Sequence, residues 1–303
     1  MRILVTGGAG FVGSHVVDAL LERGHDIYIC DDLSSGKLGN INSQAHFECC
    51  DISDPVRFLS LCGQVHFETV CHQAAQPSLL RSVEEPDFDA RVNILGTINV
   101  ILAARRIGAR VVMASTSAVY DDTLLNSRHE GDLLHPTRPY GIAKMAAEFY
   151  LRESGLSYAV LRYGNVYGPR QVKVGENQII PHALDYIFKD APFVVNGDGE
   201  QTRDFVYVGD IARANVAALE SAESGVFNVG TGRAASVNEV LDYLKALTHF
   251  AGDFKHGPPK PNEPRHVTLN SNRAQRVLGW RAETLLEAGL AKTVEWYRQA
   301  VTI

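Results

Sequence analysis

The feature that most constrains this chain is its N-terminal stretch, residues 2–31, which reads RILVTGGAGFVGSHVVDALLERGHDIYICD. The apolar run Arg2–Val5 predicts a strand, and apolar residues within Phe11–Arg23 recur at the spacing of one helical face. A second apolar run, Ile27–Cys30, is followed by Asp31. The glycine-rich turn therefore connects a strand to a helix, and the whole stretch predicts the start of a parallel sheet.

The glycines of this turn read in two registers, Gly7-x-x-Gly10-x-x-Gly13 and Gly8-x-Gly10-x-x-Gly13. Both registers place backbone without a Cβ where a pyrophosphate would approach, and Gly13 allows the helix to pack closely on the strand. The free N–H groups of the helix N-terminus would face the phosphates. Asp31 would accept hydrogen bonds from both ribose hydroxyls of an adenosine and would repel a 2′-phosphate. The turn therefore predicts NAD rather than NADP, with a glycine-rich turn beside a solvated Asp31 as the alternative.

Length and charge limit the classes of partner. The 303 residues allow one large domain or two modest ones. The formal net charge of −6 argues against nucleic acid and anionic membranes as partners, because both need a basic protein surface. No apolar run approaches the roughly 18 residues of a membrane helix, and the first strand begins at once, which leaves no room for a signal peptide. We therefore expect a cytoplasmic protein.

The cysteines suggest neither a disulfide framework nor a zinc site. There are five of them, an odd number, and none forms a C-x-x-C motif. We expect them to be small buried side chains in a reduced compartment, and we expect no metal centre.

Strand-like and helical segments alternate through the rest of the first half of the chain. This alternation predicts βαβ units with right-handed crossovers, that is, an α/β fold with a Rossmann-type doubly wound parallel sheet. The ligand crevice of such a fold lies at the carboxyl ends of the strands, so candidate site residues should follow each strand. The segments are Ala45–Cys50, Pro55–Leu61, Glu68–Cys71, Phe88–Arg106 and Arg110–Ala114.

Polar and small residues follow the third and fourth predicted strands. Asp51, followed by Ile52, is placed to meet an adenine amino group, but an aspartate that caps the helix at Asp54-Pro55 would serve structure equally well. After the fourth strand, the segment 72–77 (HQAAQP) offers small residues where a nicotinamide ribose could lie close to the backbone. His72 has no partner at metal-ligand spacing, and we interpret it as a packing histidine.

A hydroxyl cluster and a Tyr-x-x-x-Lys pair form a candidate catalytic set. Ser115, Thr116 and Ser117 follow the fifth predicted strand, and Tyr140 and Lys144 lie one turn apart on one face of a later helix. A tyrosine must lower its pKa by about three units, or roughly 4 kcal/mol, to act as a base at neutral pH. A nearby ammonium and an oxidised nicotinamide would both favour the phenolate. We predict Tyr140 as the base, Lys144 as the electrostatic and ribose anchor, and Thr116 as the hydroxyl partner.

With these residues in view, the chain from Ile3 to Trp280 resembles the extended short-chain dehydrogenase/reductase family, and within it the nucleotide-sugar epimerases and dehydratases. The resemblance implies a tightly held NAD and a smaller C-terminal α/β lobe that binds a nucleoside-diphosphate sugar, most often a UDP-sugar. It places the NAD-binding domain at residues 1–164, with about 204–232 returning to it, and most of the substrate lobe at 165–303. The motifs are TGGAGFVG (6–13), DDLSSG (31–36), HQAAQPS (72–78), ASTSAVY (114–120), YGIAK (140–144), LRYGNVYGPRQ (161–171), GDGEQTRDFVYVGDIARA (197–214) and LGW (278–280).

The resemblance also implies a set of site residues. Asn165 matches an asparagine that holds the diphosphate side of the substrate, and Arg203 matches an arginine that pairs with the diphosphate. For NAD the implied residues are Gly7, Gly10, Phe11, Val12, Gly13, Asp31, Asp32, Ser35, Gly36, Asp51, Ile52, Gln73, Ala74, Ala75, Asn93, Ser115, Tyr140, Lys144 and Tyr163. For the substrate they are Gln76, Ser78, Thr116, Ser117, Asn165, Arg203, Lys260, Arg265 and Val267.

The two residues after Thr116 separate reactions within the family. Dehydratases place Asp-Glu directly after this hydroxyl and decarboxylases keep a Glu two places after it, whereas this chain has Ser117 and Ala118. Elimination at C5 and C6 needs an acid and a base of its own. The resemblance therefore implies hydride chemistry at C4 alone, that is, 4-epimerisation of a UDP-hexose. A dehydratase or UDP-glucuronate decarboxylase of the same family, and a non-catalytic NAD-sensing protein, are the alternatives.

The resemblance leaves the C-terminal lobe less defined. Lys260 stands where the family usually has a second diphosphate-binding arginine, and Arg265 could replace it. Val267 matches a position where a bulky aromatic residue restricts the pocket to plain hexoses, so a valine implies tolerance for an N-acetyl group at C2. Helices over residues 87–106 and 140–153 match those that pair family members, which implies a homodimer.

Overall fold

The structure, a computed structural model, describes residues 1–123, 126–173, 178–260 and 264–302. Seven strands form one parallel sheet, in the spatial order β11-β6-β5-β4-β1-β2-β3. They are β1 (Arg2–Thr6), β2 (Asp26–Asp31), β3 (His46–Cys49), β4 (Thr69–His72), β5 (Arg110–Thr116), β6 (Tyr158–Tyr163) and β11 (Gly225–Val229). Six short strands form three two-stranded pairs: β7 (Asn165–Tyr167), β8 (Val194–Asn196), β9 (Thr202–Arg203), β10 (Phe205–Tyr207), β12 (Ala235–Ser236) and β13 (Lys255–Gly257).

The helices cover both faces of the sheet and build most of the C-terminal part. The predicted helix at 88–106 is longer than expected, because a π-helical segment, Arg91–Gly96, joins α4 (Pro86–Ala90) to α5 (Thr97–Ile107). This helix ends at Gly108, which adopts a φ of +70°. The helices are α1 (Phe11–Glu22), α2 (Pro55–Gln64), α3 (Leu79–Glu84), α4 (Pro86–Ala90), α5 (Thr97–Ile107), α6 (Pro139–Arg152), α7 (Ile179–Lys189), α8 (Val208–Glu220), α9 (Val237–Thr248), α10 (Asn272–Leu278) and α11 (Leu286–Thr302).

Apolar side chains on the two faces of the sheet form two separate cores. One core packs α1 and α8 against the sheet, through residues such as Val17 and Ile211. The other packs α2, α5 and α6 against the opposite face, through residues such as Phe58 and Ala147. Helices on both faces of a parallel sheet confirm the predicted doubly wound fold. A third core, made by α7, α9, α11 and β8, belongs to the smaller C-terminal lobe.

The cysteines largely match their prediction. Cys30, Cys50, Cys62 and Cys71 are buried, but Cys49 is exposed because it ends the edge strand β3. The expectation that all five would be buried was therefore wrong for Cys49. None of the helices in the described part of the chain has the length and apolar content to cross a membrane.

Candidate active site

The glycine-rich turn lies between the end of β1 and the start of α1. Gly7 has a φ of +70°, which glycine adopts without strain. A Cβ at position 13 would lie 2.0 Å from the Gly7 carbonyl oxygen, so the close approach of α1 to the turn requires glycine there. No side chain caps α1, and its first turn carries no acidic residue. The turn and the N–H groups of Phe11 and Val12 therefore form an electropositive cradle that fits a pyrophosphate.

Asp31 ends β2 beside this turn. Its Oδ2 accepts a hydrogen bond from the Ala9 N–H at 2.9 Å, and its Oδ1 accepts one from the Leu33 N–H at 2.8 Å. Burial raises the pKa of Asp31, while these backbone hydrogen bonds oppose the rise. A Cβ at Gly36 would lie 2.7 Å from Oδ1, so the loop that also carries Asp32 and Ser35 lies against the carboxylate. This position fits the predicted ribose contact.

Two aspartates, Asp51 and Asp54, follow β3, and their hydrogen bonds distinguish their roles. Asp54 caps α2, because its Oδ1 accepts hydrogen bonds from the Val56 and Arg57 N–H groups at 3.0 and 3.1 Å. The exposed Asp51 carboxylate accepts hydrogen bonds from the N–H and hydroxyl of Ser53, both at 2.7 Å. The helix-capping role therefore belongs to Asp54, and an adenine contact by Asp51 remains a prediction.

The fourth strand ends in His72, which is buried. Its ring nitrogens lie 2.8 Å from the Thr6 hydroxyl and 3.0 Å from the Thr97 hydroxyl. Burial, and secondarily the charge of Lys144, lower the pKa of His72 to about 3. The interpretation of His72 as a packing histidine is confirmed.

Gln73, which follows His72, forms a hydrogen-bonded triad with Tyr163 and Asn215. The sequence analysis did not predict Asn215. The Gln73 side-chain amide donates to Asn215 Oδ1 at 2.9 Å, and the Tyr163 hydroxyl donates to Gln73 Oε1 at 3.3 Å. Asn215 also donates to the Tyr163 hydroxyl at 2.8 Å. The triad holds Gln73, the residue before Ala74 and Ala75. This segment lies against the glycine turn, since a Cβ at Gly7 would lie 2.6 Å from the Ala74 nitrogen.

A cavity of about 560 Å³ lies between residues of the two halves of the chain. It brings together most of the predicted substrate-binding residues, although they are up to 189 positions apart, from Ser78 to Val267. From the first half the lining includes Ser78, Thr116, Ser117 and Tyr140; from the second half it includes Asn165, Arg203, Lys260 and Val267.

Tyr140 and Thr116 both line this cavity. The Thr116 hydroxyl is hydrogen-bonded to the Tyr140 phenol, which favours the phenolate. Burial and the nearby charge of Asp89 outweigh that bond and raise the pKa of Tyr140 to about 12. Burial therefore dominates the pKa of Tyr140 in the protein alone, and a shift toward the phenolate by Lys144 together with an oxidised nicotinamide stays a prediction.

Lys144 lies one turn beyond Tyr140, and its ammonium is buried. Its Nζ donates to the Ala114 carbonyl at 3.1 Å, which leaves two N–H donors for other partners. Burial lowers the pKa of Lys144 to about 8, although the carboxylates of Asp89 and Glu148 oppose the shift. An ammonium in this setting can exchange a proton near neutral pH.

Two buried carboxylates around Lys144 were missed by the sequence analysis. Asp89 accepts hydrogen bonds from the Gln76 and Asn93 amides, each at 2.9 Å. Glu148 accepts a hydrogen bond from Arg162 Nη2 at 2.6 Å and another from the Ser115 hydroxyl. The spacing of Glu148, four residues after Lys144, was a signal for the same helical face. Asp89 gave no signal, because only the tertiary fold places α4 beside α6.

Three predicted site residues, Gln76, Asn93 and Arg265, have side chains that bond to other protein groups. The Asn93 side chain bonds to the Gln76 backbone N–H and carbonyl, and the Gln76 and Asn93 side-chain amides both donate to Asp89. Neither residue is among the described residues that line the cavity. They hold the loop after β4 instead of presenting free amides to a ligand. Arg265 forms a two-pronged ion pair with Asp198, at 2.7 and 2.8 Å, and lies outside the cavity. Lys260, not Arg265, therefore lines the cavity as the second cation beside Arg203.

Comparison with known sequences agrees with this site. Residues 3–230 match the NAD dependent epimerase/dehydratase family. The chain belongs to this family. The matched region contains the glycine turn, Asp31 and the Thr116, Tyr140 and Lys144 set.

Relatives within the family cover almost the whole chain. The crystal structure of a Thermotoga maritima UDP-glucose 4-epimerase with UDP-glucose is 40% identical, with a TM-score of 0.95 over 99% of this chain and all of the other. A Thermus thermophilus UDP-glucose 4-epimerase in complex with NAD is 36% identical, with a TM-score of 0.94 over the same shares. A UDP-glucose 4-epimerase of Mycolicibacterium smegmatis is 37% identical over 98% of this chain and 99% of its own length. UDP-glucuronic acid decarboxylase 1 of Xenopus tropicalis is more distant, at 30% identity over 98% of this chain and 72% of its own.

Proposed function

We propose that this protein is an NAD-dependent UDP-sugar 4-epimerase. The observation that carries the proposal is the hydrogen-bonded Thr116 and Tyr140 pair in a cavity that Arg203 and Lys260 also line. A phenol and a hydroxyl suit the sugar O4, and two cations suit a diphosphate. The named 4-epimerases that match this chain over nearly its full length support the same reaction.

The residues of the first domain fit NAD. Gly7, Gly10 and Gly13 leave the space and the N–H groups that a pyrophosphate needs, and Asp31 lies beside them for the ribose. When bound, NAD supplies the hydride acceptor for C4 and a positive charge close to the phenol. Residues 1–164 with 204–232 form the NAD-binding domain in this proposal, and most of residues 165–303 form the substrate lobe.

The chain's own residues then move one proton and hold the sugar. Tyr140 removes the proton from O4 as C4 is oxidised to the ketone. It returns a proton to O4 after the 4-keto sugar has rotated about its link to the diphosphate. Thr116 holds O4 by a hydrogen bond in both orientations. Lys144 keeps the phenol in a positive environment, and Arg203, Lys260 and Asn165 keep the diphosphate in place while the sugar moves.

The same proposal includes a homodimer in the cytoplasm. Large apolar side chains are exposed on the two neighbouring helices that the resemblance identified for pairing. They are Leu95 and Leu102 on the first helix and Ile142, Phe149 and Tyr150 on α6. Apolar patches of this kind commonly mark an interface between subunits.

The test is to purify the protein without added NAD, measure NAD released on denaturation, and incubate the native protein with UDP-glucose, UDP-GlcNAc or UDP-glucuronate. Formation of the 4-epimer without added NAD, followed by NMR, is the expected result. A 4-keto-6-deoxy sugar or a pentose as product would show that Ser117 and Ala118 were misinterpreted. Bound NAD with no reaction of any sugar would favour the sensor alternative.

A variant pair separates chemistry from cofactor binding. Tyr140→Phe should lower turnover by about 10³-fold, since it removes the general base but keeps the ring. Its NAD content should stay at the wild-type level. Tyr150→Phe, on the exposed face of the same helix, is the matched control and should retain full turnover. Full activity in Tyr140→Phe would contradict the assigned base.

A further inference from the structure

One buried carboxylate near the proposed catalytic residues has no role in the proposed mechanism. Asp89 is only 1% exposed, and its helix, α4, packs against α6, which carries Tyr140 and Lys144. The side-chain amides of Gln76 and Asn93 each donate to it at 2.9 Å, and both bonds fall on the same oxygen, Oδ1. No donor from the described residues bonds to Oδ2. The hydrogen bonding of Asp89 therefore requires one acceptor oxygen, but it does not require a negative charge.

The charge of Asp89 is not neutralised by the groups that bond to it. Both donors are neutral amides, and Asp89 forms no ion pair with any residue that the structure describes. The nearest arginines in the sequence, Arg81 and Arg91, are exposed, and their guanidinium groups lie over the Phe88 ring. Burial raises the pKa of Asp89, although the two amide hydrogen bonds oppose the rise. A buried carboxylate is costly unless a cation compensates it.

Lys144 is a buried cation in the complementary situation. It is 3% exposed, and its ammonium donates to a neutral group, the Ala114 carbonyl. Asp89 and Glu148 are the carboxylates whose charges act on it, but Glu148 already pairs with Arg162 at 2.6 Å. His72, at the end of β4, has a pKa of about 3 because of its burial, so it is neutral at pH 7. Of the two carboxylates, Asp89 is therefore the one whose charge no other cation among the described residues neutralises.

The charge of Asp89 acts on both members of the Tyr140 and Lys144 pair. Burial lowers the pKa of Lys144 to about 8, and Asp89 opposes this shift. Burial raises the pKa of Tyr140 to about 12, and Asp89 adds to this shift. We propose that Asp89 is a positioning residue for the reaction, the counter-charge that keeps Lys144 an ammonium and Tyr140 a phenol before substrate binds. This inference rests on the proposed 4-epimerase function, which gives the ammonium its role.

The loss of this counter-charge has a definite consequence. Without Asp89, only Glu148 would oppose the effect of burial on Lys144. Removing a nearby opposite charge shifts a pKa by about one unit or more, so much of Lys144 would be a neutral amine at pH 7. A neutral amine does not stabilise a phenolate. Asp89 therefore sets the upper pH limit of the reaction without contacting the sugar.

The first measurement is an NMR titration of the purified protein, labelled with ¹³C at the lysine Cε atoms, whose chemical shift reports the protonation of Nζ. Lys144→Arg identifies the Lys144 signal. In Asp89→Asn, the midpoint of this signal should fall by about one pH unit or more. Asparagine keeps the acceptor oxygen for the two amides, so the local hydrogen bonds are retained. Asp87→Asn, at an exposed position of the same helix, is the matched control and should leave the midpoint unchanged.

The second measurement is the pH dependence of kcat/KM for the UDP-sugar with the highest turnover. The alkaline limb, where Lys144 loses its proton, should move to lower pH in Asp89→Asn by as much as the NMR midpoint. The NAD content should stay at the wild-type level. A lower kcat/KM at every pH with an unmoved alkaline limb would show a merely structural role and would overturn the inference.

The outcomes distinguish this inference from the proposed function. An unchanged Lys144 midpoint in Asp89→Asn would overturn the inference, whether or not any sugar is epimerised. A shifted midpoint in a protein that epimerises no UDP-sugar would support the charge pair and overturn the proposed function. If Asp89→Asn does not fold, a titration of the ¹³C-labelled Asp89 carboxyl in the wild-type protein decides instead. We expect a carboxylate at pH 7, and a protonated carboxyl at that pH would overturn the inference.

Discussion

Replacing Glu148 by glutamine tests how the helix that carries Tyr140 and Lys144 is held. Glu148 and Arg162 are almost fully buried, at 5% and 3% side-chain exposure, and their closest atoms are 2.6 Å apart. Burial alone would lower the pKa of Arg162, but the hydrogen bonds and charge of Glu148 raise it overall. The carboxylate also accepts from the Ser115 hydroxyl, next to Thr116. The pair therefore connects α6 to β5 and β6 beside the proposed catalytic residues.

The expected cost follows from what Glu148→Gln leaves behind. Glutamine keeps the shape and one acceptor oxygen, but Arg162 becomes a buried charge without a counter-ion, and the new amide N–H groups face its N–H donors. Breaking one side of a buried ion pair costs about 3–5 kcal/mol of unfolding free energy. With an m-value of about 3 kcal/mol/M, the urea midpoint should fall by about 1–1.7 M.

The control for this measurement is on the same helix. Glu153 pairs with Arg152 at 3.0 Å, but both side chains are exposed. Glu153→Gln should change the free energy of unfolding by less than about 0.5 kcal/mol, as exposed pairs do. Equilibrium urea unfolding, followed by circular dichroism, measures all three proteins. A Glu148→Gln value within the range of the control would refute the reasoning that this buried pair holds α6.

Three further predictions concern separate parts of the molecule. The pKa of His72 is lowered from 6.5 to about 3, so the neutral ring stabilises the fold fully above pH 6.5, and this stabilisation is lost as the pH falls toward 3. Between pH 7 and 4.5, the free energy of unfolding in urea should therefore fall by about 3 kcal/mol more for wild type than for His72→Asn. Wild type should epimerise UDP-GlcNAc, and Val267→Tyr should reduce that activity about tenfold relative to UDP-glucose; good turnover of UDP-glucose with none of UDP-GlcNAc in wild type would refute this. Light scattering at micromolar concentration should find a dimer for wild type and a monomer for Leu95→Lys, and a monomeric wild type would end the dimer proposal.

The sequence predicted the structure best where the residue pattern within one segment is enough to determine the backbone conformation of that segment. The strand, turn and helix at residues 2–22 could be predicted because the glycine turn and the helical periodicity are both local. The pairing of Tyr140 with Lys144 follows from helical spacing in the same way. The helix over 88–106 was recognised by its periodicity, but its start at Pro86 and its π segment were not, since a π turn changes the spacing of only a few residues.

The sequence by itself determined the doubly wound class and the dinucleotide turn, because these depend on periodicity and on glycine at given positions. It also supplied the candidate set Thr116, Tyr140 and Lys144, whose catalytic role is proposed here. The tertiary structure decided which distant residues share the cavity. It placed Lys260 there while Asp198 engages Arg265, and it buried Asp89 beside Tyr140. Among the residues that the structure describes, it also leaves the Nε and Nη2 atoms of Arg128 without a hydrogen-bond partner. Such facts depend on burial and on charges from separate segments, which no spacing along one segment can express.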